Sequence, residues 1–216
     1  MASWVASLLL VLGAAGPSLQ AAVNVTLYYE SLCPDSIRFV KQQLYPAWKS
    51  LSPECLRVDF VPYGKASQER LADGHWSFSC QHGPRECLGN KQQACALHAL
   101  RDLPALQVEF VHCFMAAADP PSSGAQCAKT LNITYSEIEK CSSSQQGEDL
   151  LAALGDKTKK FNPELSWVPT PAFNNVYDAE DLQESMTDFL SAVCKRLDSP
   201  KPAACSEHLE AEQSVE

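Results

Sequence analysis

Ten cysteines in a chain of 216 residues limit the fold more than any other feature, because thiols at that density persist mainly as bridges and bridges persist in an oxidising compartment. A reduced cytosolic enzyme is all but excluded. The amino terminus offers a route out of the cytosol. No charged residue precedes Glu30, and Trp4 to Ala15 is an apolar run, short of the roughly 20 residues of a membrane span but long enough for the core of a secretory signal. Residues 1–22 therefore read as a signal peptide, and no later apolar stretch is long enough to cross a membrane. The sequons Asn24-Val25-Thr26 and Asn132-Ile133-Thr134 predict glycosylation at Asn24 and Asn132. Lysine and arginine number 17 against 26 aspartates and glutamates, a formal charge of -9, which offers phosphate backbones no basic face and argues against nucleic acid as a partner.

The mature chain opens with Val23, Val25, Leu27 and Tyr29 alternating with polar or aromatic neighbours, the period of a strand buried on one face. Ile37, Val40, Leu44 and Trp48 then recur at helical spacing after Pro34, so a helix begins just past Cys33. Leu56, Val58 and Phe60 alternate again, completing a strand, helix, strand unit suited to a right-handed parallel crossover. Residues of about 65–165 break the rhythm with a cysteine-rich turn and several helical patterns. The sheet resumes near Trp167, where Asn174-Asn175 can close a hairpin. A final amphipathic helix carries Leu182, Met186, Phe189, Leu190, Val193 and Leu197 behind Asp178 as its cap. Residues 198–216, with two prolines and five acids against one lysine, read as a solvated, disordered acidic tail.

Two groups of residues can carry chemistry. Cys33 lies where a strand ends and a helix starts, a position at which backbone donors and the macrodipole favour a thiolate. The same placement also suits a cysteine bridged to a distant partner. Asp35 opposes the thiolate, whereas Ser36, one turn along, can donate a hydrogen bond to it. The second group is Cys80-Gln81-His82-Gly83-Pro84-Arg85-Glu86-Cys87, continuing through Asn90 to Cys95. Cys80, His82, Cys87 and Cys95 are enough in number for tetrahedral zinc, but the spacing is not a usual zinc pattern and disulfides compete for the thiols. Cys80, Cys87 and Cys95 are therefore read as structural cysteines, with no metal.

This second run resembles the signature of the gamma-interferon-inducible lysosomal thiol reductase family: Cys-Gln-His-Gly, two residues, Glu-Cys, two residues, Asn, four residues, Cys. The resemblance extends to Val23 through Glu30, to Val61-Pro62-Tyr63-Gly64 and to Val168-Pro169, and so covers roughly residues 23–205. It implies an α/β fold, a thioredoxin-like sheet with a disulfide-stapled helical insertion. On this reading the domain spans residues 23–197, with the insertion at about 65–165. It also implies a thiol-disulfide oxidoreductase acting on protein disulfides in the endosomal, lysosomal or secreted compartment, with Cys33 as nucleophile and no cofactor. Val168-Pro169 is similar to the cis-proline loop that, with Pro34, flanks the substrate in such folds.

The family's dithiol falls on Cys33-Pro34-Asp35-Ser36, and here the second cysteine is a serine. Cys33 can attack a substrate disulfide, but a hydroxyl cannot release the mixed disulfide that results. Release then falls to the substrate's own thiol, a small thiol, or another cysteine of the chain. The rival reading is a redox-impaired binding or scavenging module of the same fold, and a third is a purely structural module with Cys33 bridged. Setting Cys33 aside leaves nine cysteines, an odd number, and Cys205 in the tail is the candidate for an unpaired thiol and a disulfide-linked dimer.

Overall fold

The structure, a computed structural model, describes residues 22–51 and 53–213; the signal-peptide reading falls on residues outside these. Strand β1, Val23–Tyr29, lies at the centre of a three-stranded sheet of order β2-β1-β5. Its period-two pattern buries Val23, Val25, Leu27 and Tyr29. β2, Leu56–Pro62, runs parallel to it with Val23 opposite Leu56 and Tyr29 opposite Pro62, and β5, Thr170–Phe173, runs antiparallel with Tyr28 opposite Thr170.

The crossover between β1 and β2 contains one continuous helical run over residues 34–50. Helix α1, Pro34–Phe39, passes into a π-helical turn, Val40–Leu44, and then α2, Tyr45–Ser50, with helical backbone angles at both junctions. Pro34 occupies the first turn, where a missing N–H costs nothing. Phe39 and Phe189 meet edge to face at 5.3 Å, and Phe173 lies 6.0 Å from Phe189, so the crossover helix, β5 and the last long helix share one core.

Between β2 and β5 lies the insertion. A hairpin of β3, Ser67–Arg70, and β4, Trp76–Ser79, precedes α3, Pro84–Ala99; α4, Pro104–Ala116; α5, Gly124–Thr130; α6, Tyr135–Ser142; and α7, Gln145–Lys159. The sequence reading takes this stretch as a loop, because β3 is wholly polar and β4 offers only Trp76 and Phe78 in alternation with serines, too short a pattern to mark a strand by itself. Disulfides tie the insertion together: Cys80 to Cys87 closes the turn before α3, Cys95 to Cys141 joins α3 to α6, and Cys113 to Cys127 joins α4 to α5. After β5, Asn174 and Asn175 take φ of 51° and 63°, and Val176 bridges back to Phe173. The expected turn forms, but the returning arm is a single bridge rather than a strand.

Helix α8, Ala179–Cys194, starts on Asp178, whose Oδ1 accepts from the N–H groups of Glu180 and Asp181. It kinks at Asp188, and Gln43 Oε1 accepts the Phe189 N–H at the break. Over its described part the disordered-tail reading of residues 198–216 is corrected by α9, Ala203–Gln213; residues 214–216 lie outside the described residues. Cys205 is fully buried and bonded to Cys194, His208 Nε2 lies 2.7 Å from Asp188 Oδ2, and Leu209 packs on the core. The folded domain thus continues past residue 197. Composition missed this because one bridge and a few contacts, rather than an apolar stripe, hold the helix. The same bridge removes Cys205 as an unpaired thiol. The reduced cysteines are Cys33 and Cys55.

Candidate active site

Cys33 is the N-cap residue of α1, with extended φ and ψ of -65° and 122°, and its carbonyl accepts the Ile37 N–H at 2.9 Å. It is reduced rather than bridged, which removes the purely structural reading. Its side chain is 7% exposed, and Sγ lies 3.8 Å from the Val168 carbonyl, to which the thiol can donate. The Val168–Pro169 peptide is cis. The Val168 carbonyl contact places this loop against the start of α1. Thr170 Oγ1 donates to the Trp167 carbonyl at 2.8 Å and ties the loop to β5. Trp167 itself is 54% exposed beside the sulfur. Cys33, Pro34, Lys65, His82, Trp167 and Val168 are among the residues lining an open cavity of about 200 Å³.

Ser36 is fully buried, and its Oγ accepts the Glu30 N–H at 3.4 Å. In the structure the sulfur's hydrogen-bond partner is the Val168 carbonyl rather than this hydroxyl. Asp35 is paired with Arg38 at 2.6 Å, which offsets the negative charge that sequence reasoning set against a thiolate.

His82, on the cavity wall, belongs to a group of polar residues whose acidic members the sequence reading did not assign. Glu30, three residues before Cys33, is fully buried, and its Oε1 accepts the Lys65 N–H at 2.8 Å. The chain can approach so closely only because of Gly64, which has φ of +59° and where a Cβ would come within 2.2 Å of Glu30 Cγ. Glu30 Oε2 faces His82 Nδ1 at 3.4 Å, and His82 Nδ1 lies 2.6 Å from Oε2 of the buried Glu86. Glu86 Oε1 also accepts the His82 N–H at 3.0 Å. Burial pushes the Glu30 carboxyl above its ordinary range, the Lys65 N–H lowers it in part, and the neighbouring Glu86 charge raises it again.

The rest of the signature supports the loop that carries Cys33. Glu86, Asn90 and Gln93 recur at helical spacing along α3 and are all fully buried. Asn90 Oδ1 accepts the Ser31 N–H at 2.9 Å, Ser31 Oγ donates to the Glu86 carbonyl at 3.1 Å, and Tyr29 Oη lies 2.6 Å from Gln93 Oε1. Gly89 must be small, since a Cβ there would sit 2.5 Å from Ser31 Oγ. A polar stripe at i, i+4 and i+7 ordinarily faces water. The signal that it does not was that Glu86 and Asn90 fall in the family signature; nothing in the sequence singled out Gln93.

The zinc set proposed by counting does not assemble, because Cys80 and Cys87 are bonded to each other and Cys95 to Cys141. Among the described residues, Glu30, His82 and Glu86 bring one oxygen or nitrogen each within 4.8 Å of one another, but the 2.6 Å contact between His82 and Glu86 is a hydrogen bond that closes around a proton. Asn24 is exposed on β1, and Asn132 is exposed in the loop between α5 and α6 with φ of 55°.

Residues 24–131 match the model of the family described as gamma interferon inducible lysosomal thiol reductase. The chain belongs to that family. "GILT-like protein 1" of Drosophila melanogaster is 33% identical over 87% of this chain and 80% of its own. The Anopheles gambiae "gamma-interferon-inducible lysosomal thiol reductase-like protein" is 38% identical over 86% and 81%. Among solved structures, Chlamydia trachomatis DsbA superposes with a TM-score of 0.52 at 14% identity, covering 77% of this chain and 86% of that one. That likeness bears on fold alone, and the fold is the thioredoxin-like α/β arrangement expected from the sequence.

Proposed function

We propose that the protein is a thiol-disulfide oxidoreductase of the secretory pathway, endosomal or lysosomal or secreted, that attacks protein disulfides through the single thiol of Cys33. The observation that carries this reading is the reduced Cys33 at the start of a helix, opening on a cavity beside the cis Val168–Pro169 peptide. An extended substrate segment lies along Val168 and Pro169, with its disulfide over the sulfur and an apolar side chain against Trp167. Cys33 Sγ bonds to one substrate sulfur, and the other leaves as a thiol. Pro34 fixes the approach at the helix start, and the Ser36 hydroxyl, whose oxygen accepts the Glu30 N–H, turns its own hydrogen to the thiolate. Glycans at Asn24 and Asn132 and a cleaved signal peptide belong to this reading, as do small thiols as reductant.

Resolution is the step in question. Eight cysteines are bridged, and Cys55 lies at the far end of β1 from Cys33, its carbonyl accepting the Val23 N–H. Six strand steps of about 3.3 Å separate the ends of β1 by about 20 Å, so Cys55 cannot resolve a mixed disulfide at Cys33. The same observation favours a second reading, a module that captures disulfides without turning them over. Turnover of a disulfide-bonded protein substrate against rising small thiol separates the two: a rate that climbs with thiol supports the reductase, and a stable mixed disulfide at millimolar thiol supports capture. A Cys33 that an alkylating reagent and an aromatic disulfide both fail to modify in the folded protein overturns both.

A further inference from the structure

Among the described residues, His82 is the one imidazole lining the cavity that holds Cys33, and its ring is set against two carboxylates. Its Nδ1 is held between Glu86 Oε2 at 2.6 Å and Glu30 Oε2 at 3.4 Å, both carboxylates being fully buried. Glu30 Oε2 has no hydrogen-bond partner of its own, so the nearby imidazole is the group that can relieve its charge. His82 nevertheless lines the cavity, and its side chain is 37% exposed. Both ends of the arrangement are braced: the Lys65 N–H fixes Glu30, and the His82 N–H fixes Glu86. The charged and titratable groups around the imidazole are Glu30 at the end of β1, Lys65 after β2, Cys33 and Asp35 at the start of α1, and Glu86 on α3.

We propose that His82 is a catalytic acid of the exchange reaction, delivering a proton from Nε2 to the sulfur that leaves the substrate, while Glu30 and Glu86 are positioning residues. This rests on the reading of Cys33 as nucleophile. In the step, the Cys33 thiolate forms a bond to one substrate sulfur as the substrate S–S bond breaks. The electron pair passes to the departing sulfur, which takes the His82 proton and leaves as a neutral thiol. The imidazole regains a proton from solvent, and the proton that Cys33 lost on ionising balances it. Such help matters most where the leaving thiol is a poor one, because exchange slows as the leaving thiol's pKa rises. Positioned acids contribute about 10²-fold or more in favourable cases.

The test compares two probe disulfides on the full folded chain at about pH 5. 5,5′-Dithiobis(2-nitrobenzoate) releases an acidic aromatic thiol that needs no proton, whereas cystamine releases an aliphatic thiol that does. His82→Gln should slow the reaction of Cys33 with cystamine about tenfold or more and leave the aromatic probe within about twofold. His82→Ala should behave likewise and regain cystamine reactivity on addition of imidazole. Equal losses with both probes would assign His82 a structural role only and overturn the inference, as would no loss with either or an absence of imidazole rescue. The wild-type aromatic arm keeps the two proposals apart: silence there removes Cys33 as nucleophile, whereas reactivity there without a cystamine-specific loss removes only the role of His82.

Discussion

Ser36 offers an oxygen where a dithiol would offer a second sulfur, and on the proposed function the cost falls on one chemical step. Attack by Cys33 needs no second thiol, but intramolecular release benefits from effective molarities that can reach about 10⁵ M. Ser36→Cys should therefore raise multiple-turnover reduction at millimolar thiol by about tenfold or more, and Cys33→Ser should abolish it, both read from steady-state turnover of a disulfide-bonded protein substrate. An unchanged rate in Ser36→Cys would mean that release is not what limits the protein. Glu30 is the second residue whose chemistry can be signed. Its folded pKa is raised above the ordinary 4.5 by burial first. Its contribution to stability is then fully present below about pH 4.5 and is lost as pH rises through the raised folded value. Thermal melts from pH 4 to pH 8 should show the wild-type Tm falling across that rise, and Glu30→Gln, which carries no charge to bury, should flatten the fall.

Among the elements, α3 has the most unusual division of labour. One of its faces is a polar stripe that holds the backbone of the active-site loop, and its two disulfides fix it to the turn before it and to α6. Asn90→Ala would leave the buried Ser31 N–H without its acceptor, a loss of about 1–3 kcal/mol. Denaturant unfolding should register that loss at constant m-value. Because Ser31 lies two residues before Cys33, alkylation of Cys33 should also become less uniform in rate. A variant as stable as wild type would show that solvent replaces Asn90, and that the stripe is not what secures the loop.

Across the whole molecule the covalent frame makes a definite statement about thiols. Alkylation after denaturation without reduction should modify Cys33 and Cys55, and peptide mapping should recover the four bridges Cys80–Cys87, Cys95–Cys141, Cys113–Cys127 and Cys194–Cys205. A disulfide-linked dimer through Cys205, suggested by the odd count of cysteines, should not appear on non-reducing electrophoresis. Recovery of alkylated Cys205 would contradict the docking of α9. Three of the bridges lie within the insertion. Reduction should accordingly destabilise that region by about 2–4 kcal/mol per bridge, while the sheet, whose core is mainly aromatic and aliphatic, should hold longer.

The sequence by itself determined what local chemistry and periodicity can dictate. Alternation placed β1 and β2, Pro34 placed the start of α1 just past Cys33, Asp178 capped α8, and the family signature led to the thioredoxin-like fold. It could not pair the cysteines, because bridges depend on which helix faces are brought together, and so it misjudged both Cys205 and the tail. Nor could it read Glu30, Glu86, Asn90 and Gln93, whose polar side chains have a solvent-facing pattern. Only the tertiary structure decided that these residues turn inward, where hydrogen bonding to one another and to the loop before Cys33 offsets the desolvation that would otherwise exclude them from a protein interior.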